Sequence, residues 1–226
     1  MRIGGFQALT LSDYPGHMAS IVFTQGCNFR CPFCHNGSLL ACDRPLAERI
    51  DEDGVLDCLR ARAAFLDGVV LSGGEPTIQE DLMAFIERVK TMGLKVKLDT
   101  NGSRPEVLRD LLESRRLDCV AMDIKAPFGK YDRLTGVEAP VEAIRESIAL
   151  LVEGPTPCEF RTTFVPSLLS EGDIDEIRSY LPARAQYTVQ AFVADNALDA
   201  SLRSTTQLPR DKTDEIPHHL DWFSGE

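Results

Sequence analysis

Ser20-Ile21-Val22-Phe23-Thr24-Gln25-Gly26-Cys27-Asn28-Phe29-Arg30-Cys31-Pro32-Phe33-Cys34 runs from a strand-forming pentapeptide into a loop that holds three cysteines at spacings of four and three. Such short spacings let several thiolates converge on one soft metal centre. A structural zinc site usually draws four ligands from two cysteine pairs, and this chain has one cluster of three. Three thiolates hold three irons of a [4Fe–4S] cubane and leave the fourth open to a ligand that is not protein. The alternative is a zinc site of Cys27, Cys31, Cys34 and His35, although the adjacent Cys34 and His35 would have to bend back onto one tetrahedral ion. Chance clustering of core cysteines fits poorly, because Pro32 and the polar flanks read as a loop.

Outward from this stretch the chain repeats a short apolar strand followed by an amphipathic helix. The strands are Ser20–Thr24, Val69–Ser72, Lys95–Asp99, Val120–Ile124, Glu159–Val165 and Tyr187–Phe192. Between them, Asp51 caps a helix running to about Phe65, with Val55, Leu56, Leu59 and Ala63 on one face. Leu82, Phe85, Ile86 and Val89 mark a second helix that stops at Gly93. Helices are also expected from Pro105 to Leu112, from Val141 to Val152, and from a Ser170/Asp173 capping box to Leu181. Strands alternating with helices argue for a parallel α/β sheet. The expected fold is an incomplete TIM-like (β/α)6 barrel with parallel strands, an open doubly wound sheet being the alternative. Both put functional groups at the C-terminal ends of the strands. The barrel domain is expected over residues 1–207, and 208–226 as a polar C-terminal tail ending near Trp222-Phe223.

The chain has 226 residues, enough for one domain with a sizeable core. Its net charge of −11 argues against nucleic acid and against an anionic membrane surface as partners. Of the seven cysteines, Cys42, Cys58, Cys119 and Cys158 are scattered, so no disulfide framework is implied and the compartment is reducing. Cys58 and Cys119 read as buried small hydrophobes. No signal peptide opens the chain, and no apolar run approaches the roughly 18 residues of a membrane span. The reading is a cytoplasmic protein.

The strand ends carry the unusual residues. Gly73-Gly74-Glu75-Pro76 follows the second strand, and paired glycines let a backbone approach a ligand closely. Asp99-Thr100-Asn101-Gly102 follows the third. Asp123 and Lys125 stand two apart, on one face of the fourth. Arg161 lies on the fifth, and Gln190 on the sixth is placed to bond a ligand at the barrel mouth. One rim gathering thiolates, a glycine pair, carboxylates, Lys and Arg reads as a cofactor site.

These residues resemble a family. Cys27-x3-Cys31-x2-Cys34, with Phe33 before the last cysteine, looks like the radical S-adenosylmethionine motif, and Gly73-Gly74-Glu75-Pro76 is similar to that family's glycine-rich segment. The regions Gly26–Asn36, Asp99–Gly102, Asp123-x-Lys125 and the early Asp13-Tyr14-Pro15-Gly16 resemble the glycyl-radical-enzyme activases, above all those of anaerobic ribonucleotide reductase. The resemblance implies that Cys27, Cys31 and Cys34 hold a [4Fe–4S] cluster whose open iron binds S-adenosylmethionine. It implies that Phe33 and His35 flank the adenine, that Gly73, Gly74 and Glu75 take the amino group, and that Thr100, Asp123, Lys125 and Arg161 line the rest. Asp99 with Asp123 would hold a monovalent cation. An electron from flavodoxin or ferredoxin would cleave S-adenosylmethionine to methionine and a 5′-deoxyadenosyl radical, which abstracts hydrogen from a glycine of the partner enzyme. Some activases carry a histidine after the last strand's Phe; here Val193 follows Phe192. Rival readings are a radical enzyme acting on a small molecule, such as a deazapurine synthase, and a non-catalytic iron–sulfur electron carrier.

Overall fold

The computed structural model describes residues 1–41 and 50–204. One seven-stranded sheet follows chain order: β1 (Ile3–Thr10), β2 (Ala19–Thr24), β3 (Gly68–Gly73), β4 (Lys95–Thr100), β5 (Cys119–Asp123), β6 (Cys158–Phe164) and β7 (Gln186–Ala191). β1 is antiparallel to β2, and every later pair is parallel. The helices are α1 (Glu52–Arg62), α2 (Leu82–Lys90), α3 (Pro105–Glu113), α4 (Tyr131–Thr135), α5 (Val141–Glu153) and α6 (Glu171–Ser179). Parallel strands in chain order wind the same way at each crossover, so the helices cover one face and the other face lines a lumen. β1 and β7 are the two edges and do not pair among the described residues, so the barrel is open.

The expected six parallel strands are all present, and β1 is an addition. Its sequence, IGGFQALT, has two glycines and two register shifts against β2, which break the period-two alternation that reveals a strand. Helix starts follow local chemistry. The Asp51 side chain accepts from Gly54 N at 2.9 Å to open α1, and Ser170 and Asp173 form a reciprocal capping box on α6. Two helices end earlier than expected: α1 stops at Arg62, leaving Phe65 exposed, and α6 stops at Ser179. Cys58 and Cys119 are half-buried rather than buried. Cys42 and the tail lie outside the described residues.

Packing explains the strand compositions. Val69, Val70 and Leu71 are fully buried because β3 sits mid-sheet with both faces covered. The helix side holds the main core, with Leu56, Leu59, Phe85, Ile86, Leu98, Val120, Met122 and Phe160. The lumen side holds a smaller group of Tyr14, Ala19, Ile21 and Val70. Tyr14 belongs to the β1–β2 connection, which packs against the lumen at the base of the barrel beside a cavity of about 1430 Å³.

Candidate active site

The cysteine loop is fastened to the ends of its neighbouring strands. Glu75 N donates to Gly26 O at 2.8 Å, and Gly74 N to Thr24 O at 2.9 Å. This contact dictates both glycines. A Cβ on Gly74 would sit 2.0 Å from Gly26 O; Gly73 has φ +111, and its Cβ would lie 2.4 Å from Thr24 N. The glycine pair therefore serves first as the seat of the cysteine loop. On the other side Asn101 Nδ2 donates to Asn28 Oδ1 at 3.0 Å, and Asn28 Nδ2 to Ser103 Oγ at 2.7 Å, joining the loop to the end of β4. Arg30 N donates to Thr135 O at 2.7 Å, which adds α4 as a third anchor.

A cavity of about 390 Å³ opens over this loop, within the size range of small-molecule sites. Cys27, Cys31, Cys34, Phe33, His35, Gly73, Gly74, Glu75, Asp99, Thr100, Asp123, Lys125 and Arg161 all line it. Every candidate from the sequence thus reaches one cavity. Gln190 joins them, as do Asp13, Asn36, Asn101 and Thr163. Phe33 is buried in the main core, whereas His35 is exposed with its ring 5.7 Å from that of Phe192.

Glu75 is buried and fully engaged. Its Oε1 accepts from Thr77 N, Thr77 Oγ1 and Thr100 Oγ1, and its Oε2 from Asn101 N at 2.7 Å. The carboxylate therefore clamps the ends of β3 and β4 together. Burial pushes its carboxyl above the ordinary range, and the hydrogen bonds from Thr77, Thr100 and Asn101 offset only part of that. A group raised in the fold stabilises below its unfolded value, about 4.3, and loses that contribution as pH rises through the folded value. Glu75→Gln is expected to remove this slope. It should cost about 1–3 kcal/mol in acid, because an amide nitrogen facing Asn101 N–H cannot accept. Urea denaturation across pH 4–8 measures both effects; an unchanged slope would show that Glu75 does not titrate with folding.

The lumen beneath is a ladder of opposite charges. Lys97 Nζ donates to Asp13 O at 2.8 Å and to Asp99 at 2.9 Å, with Glu159 at 3.4 Å. Arg161 bonds Asp123 at 2.9 Å and lies 3.4 Å from Asp99. Lys125 bonds Asp123 at 2.9 Å. Burial alone would raise the Asp123 carboxyl, but Arg161 and Lys125 outweigh it and hold the group well below its usual value. Burial would lower the Lys125 ammonium, yet Asp123, and Cys31 once it is a thiolate, keep it above its ordinary value. Lys97 was legible in principle, being two residues from Asp99 on the same strand and so on the same face.

The description "Radical SAM superfamily" matches residues 21–181. The chain belongs to this superfamily. A Methanocaldococcus jannaschii protein, named provisionally as a glycyl-radical enzyme activating enzyme, is 35% identical over 221 residues, 95% of this chain and 88% of that protein. A Thermococcus kodakarensis protein, named provisionally as a GTP 3′,8-cyclase, is 33% identical over 157 residues, 68% of this chain but 49% of that protein. Among solved structures, coproporphyrinogen III oxidase from Escherichia coli superposes with TM-score 0.58 at 16% identity, covering 90% of this chain and 52% of that one. Streptococcus suis SuiB bound to S-adenosylmethionine superposes with TM-score 0.59 at 17% identity, covering 76% of this chain and 40% of SuiB. These likenesses show the fold: a partial TIM-like barrel shared with radical SAM enzymes.

The family implies a [4Fe–4S] cluster and S-adenosylmethionine, and the donor set fits them. Three thiols face one cavity, two of them buried. Among the described residues no three His, Cys, Asp or Glu side chains gather at single-ion spacing; a cubane spreads its three ligands over three irons and does not require that spacing. Burial pushes the Cys27 thiol up to about 12 and Cys31 to about 11. Coordination to iron deprotonates such thiols outright, and the Lys125 ammonium favours the thiolate at Cys31. Ionised Asp123 beside Lys125 and Arg161 offers both signs of charge to a ligand carrying an ammonium and a carboxylate. No described helix is long and apolar enough to cross a membrane.

Proposed function

We propose that this radical SAM enzyme is a glycyl-radical-enzyme activase whose partner is the large subunit of anaerobic ribonucleotide reductase. The observation that carries this reading is the 35% identity to an activase-named relative over nearly the whole length of both chains. The activase-like motifs at Gly26–Asn36, Asp99–Gly102 and Asp123–Lys125 support it, and they support the reductase in particular as the partner.

In this reading Cys27, Cys31 and Cys34 hold the cluster. The bound cofactors supply one-electron cleavage of the sulfonium and the species that abstracts hydrogen. The chain's own residues bind, orient and exclude water. Phe33 and His35 flank the adenine, and the backbone of Gly73, Gly74 and Glu75 meets the amino group. Thr100 sits beside Glu75, and Asp123, Lys125 and Arg161 meet the nucleoside and carboxylate. A monovalent cation on Asp99 and Asp123 would share both carboxylates with Arg161. The electron donor is a flavodoxin or ferredoxin. The barrel domain is placed at residues 1–207 in this reading, and 208–226, which lie outside the described residues, are assigned to a C-terminal tail.

Lys125→Ala is expected to keep the cluster and weaken S-adenosylmethionine binding by about tenfold or more, the loss of one charge-assisted bond. Equilibrium binding to the reconstituted protein measures it; an unchanged constant removes Lys125 from the ligand's contacts.

The function itself is tested anaerobically. The cluster is reconstituted and reduced, S-adenosylmethionine is added, and 5′-deoxyadenosine is measured. The reductase subunit is then added and examined by electron paramagnetic resonance for a glycyl radical. A second reading, a radical enzyme acting on a small molecule, draws on the cyclase-named relative. Its match leaves half of that relative without a counterpart. Hydrogen transfer to a small molecule, with no glycyl radical on the partner, would favour it.

A further inference from the structure

The two edges of the open sheet differ. The β1 edge is guarded: it carries two register shifts and two glycines, and Ile50 bridges to Ile3. The β7 edge carries no such device. Its residues Gln186-Tyr187-Thr188-Val189-Gln190-Ala191 include no charge, no proline and no glycine, and its pairing with β6 runs in register from end to end. Among the described residues no strand pairs with its outer side. Natural sheets blunt such edges with lysine, proline or a bulge, because alternate N–H and C=O groups otherwise stand ready to pair with another chain.

β7 also leads to the active site. Thr163 pairs with Gln190 and Arg161 with Thr188, and directly paired residues share a face. Gln190, like Arg161 and Thr163, lines the cysteine cavity. The strand then runs into Phe192, whose ring meets that of His35, next to Cys34. A strand added to this edge extends the sheet across the open side of the barrel. The residue level with Gln190 would aim its Cα substituent into the cavity. A glycine there has no side chain and presents a Cα–H instead.

We infer that the free edge of β7 receives an extended, glycine-bearing segment of the protein substrate as an added strand, with its glycine level with Gln190. The inference takes its occupant from the activase reading. Main-chain pairing supplies affinity without regard to sequence, and alternate side-chain positions supply selectivity.

The test is hydrogen–deuterium exchange at the amides of Gln186–Ala191. The probe is a nine-residue peptide of alternating threonine and valine with glycine at its centre. In the free protein, alternate β7 amides should exchange fast. Excess peptide should slow them by about tenfold or more, and an analogue N-methylated along its pairing edge should not. Thr188→Lys places a guarding charge on the exposed edge strand. It should weaken the peptide's protection about tenfold. Amides already protected in the free protein would mean that another segment of this chain or a second copy fills the edge, and would overturn the inference. So would a peptide that gives no protection, or one whose N-methylated analogue protects equally. A glycyl radical on the reductase with β7 unprotected by the peptide sinks the docking and spares the activase reading. Protected β7 with no glycyl radical does the reverse.

Discussion

Cys31→Ala is expected to abolish cluster retention and S-adenosylmethionine cleavage together while leaving the apoprotein folded. The cysteine is buried, 6% exposed, in a loop held by contacts that do not involve its sulfur: Glu75 N to Gly26 O, Asn101 to Asn28, and Arg30 N to Thr135 O. Losing one sulfur from this pocket costs about 1 kcal/mol, the scale of a small core truncation. A cubane held by two thiolates instead of three loses the binding free energy that couples the metal to the fold. The urea midpoint of the apoprotein should therefore barely move. The stabilisation that reconstitution gives the wild type should disappear, along with brown colour and 5′-deoxyadenosine. Cys58→Ala, on α1 and away from the cavity, is the control that retains all three. A coloured, active Cys31→Ala protein would remove this residue from the ligand set. A wild type that takes up one zinc and stays colourless would return the loop to the zinc alternative.

The barrel was legible because each strand–helix unit announces itself locally. Val69–Leu71 is a continuous apolar run, as a strand covered on both faces must be, and Asp51 and Ser170 mark helix starts by the chemistry of unsatisfied N–H groups. β1 was not legible, because its glycines and register shifts erase alternation and its pairing with β2 is a long-range event. At the site, residue types were visible but not their partners. Gly73 and Gly74 read as a surface for a ligand, whereas the backbone of β2 already fills the space a side chain at Gly73 would take, and that of the cysteine loop the space at Gly74. Glu75 read as a ligand contact, and its oxygens accept four bonds from within the chain. Lys97 drew no attention in a strand with two lysines. Lys95 and Lys97 share the lumen face, but Lys95 opens the strand at the base of the barrel and is exposed, whereas Lys97 lies deeper and is 1% exposed.

Arg161→Met should be among the most destabilising single changes in the lumen, at about 2–4 kcal/mol, because it strands partly buried carboxylates that face one another across the lumen. The guanidinium reaches Asp123 at 2.9 Å, Asp99 at 3.4 Å and Glu159 at 3.8 Å. Without it, three acids share the two ammonium groups of Lys97 and Lys125. The sign of the pH dependence identifies the cause. In the wild type the Asp123 carboxyl is held below its usual value, so it stabilises the fold above the unfolded pKa of about 3.9, and that contribution is lost as pH falls through the folded value. In the variant, burial acts on Asp123 with only Lys125 opposing it, and the folded value climbs. The stability gap between the two proteins should therefore be small in strong acid, where the carboxyls are protonated, and widen as pH rises from the wild-type folded value, well below about 4, to the higher folded value of the variant. Arg161→Lys keeps the charge but cannot span Asp123 and Asp99 at once, so it should fall between the two. Urea denaturation of the three apoproteins at a series of pH values measures this directly. A gap that stays constant with pH would mean that Arg161 acts through packing of its stem, and that the ladder from Lys97 to Lys125 does not hold the lumen together by charge.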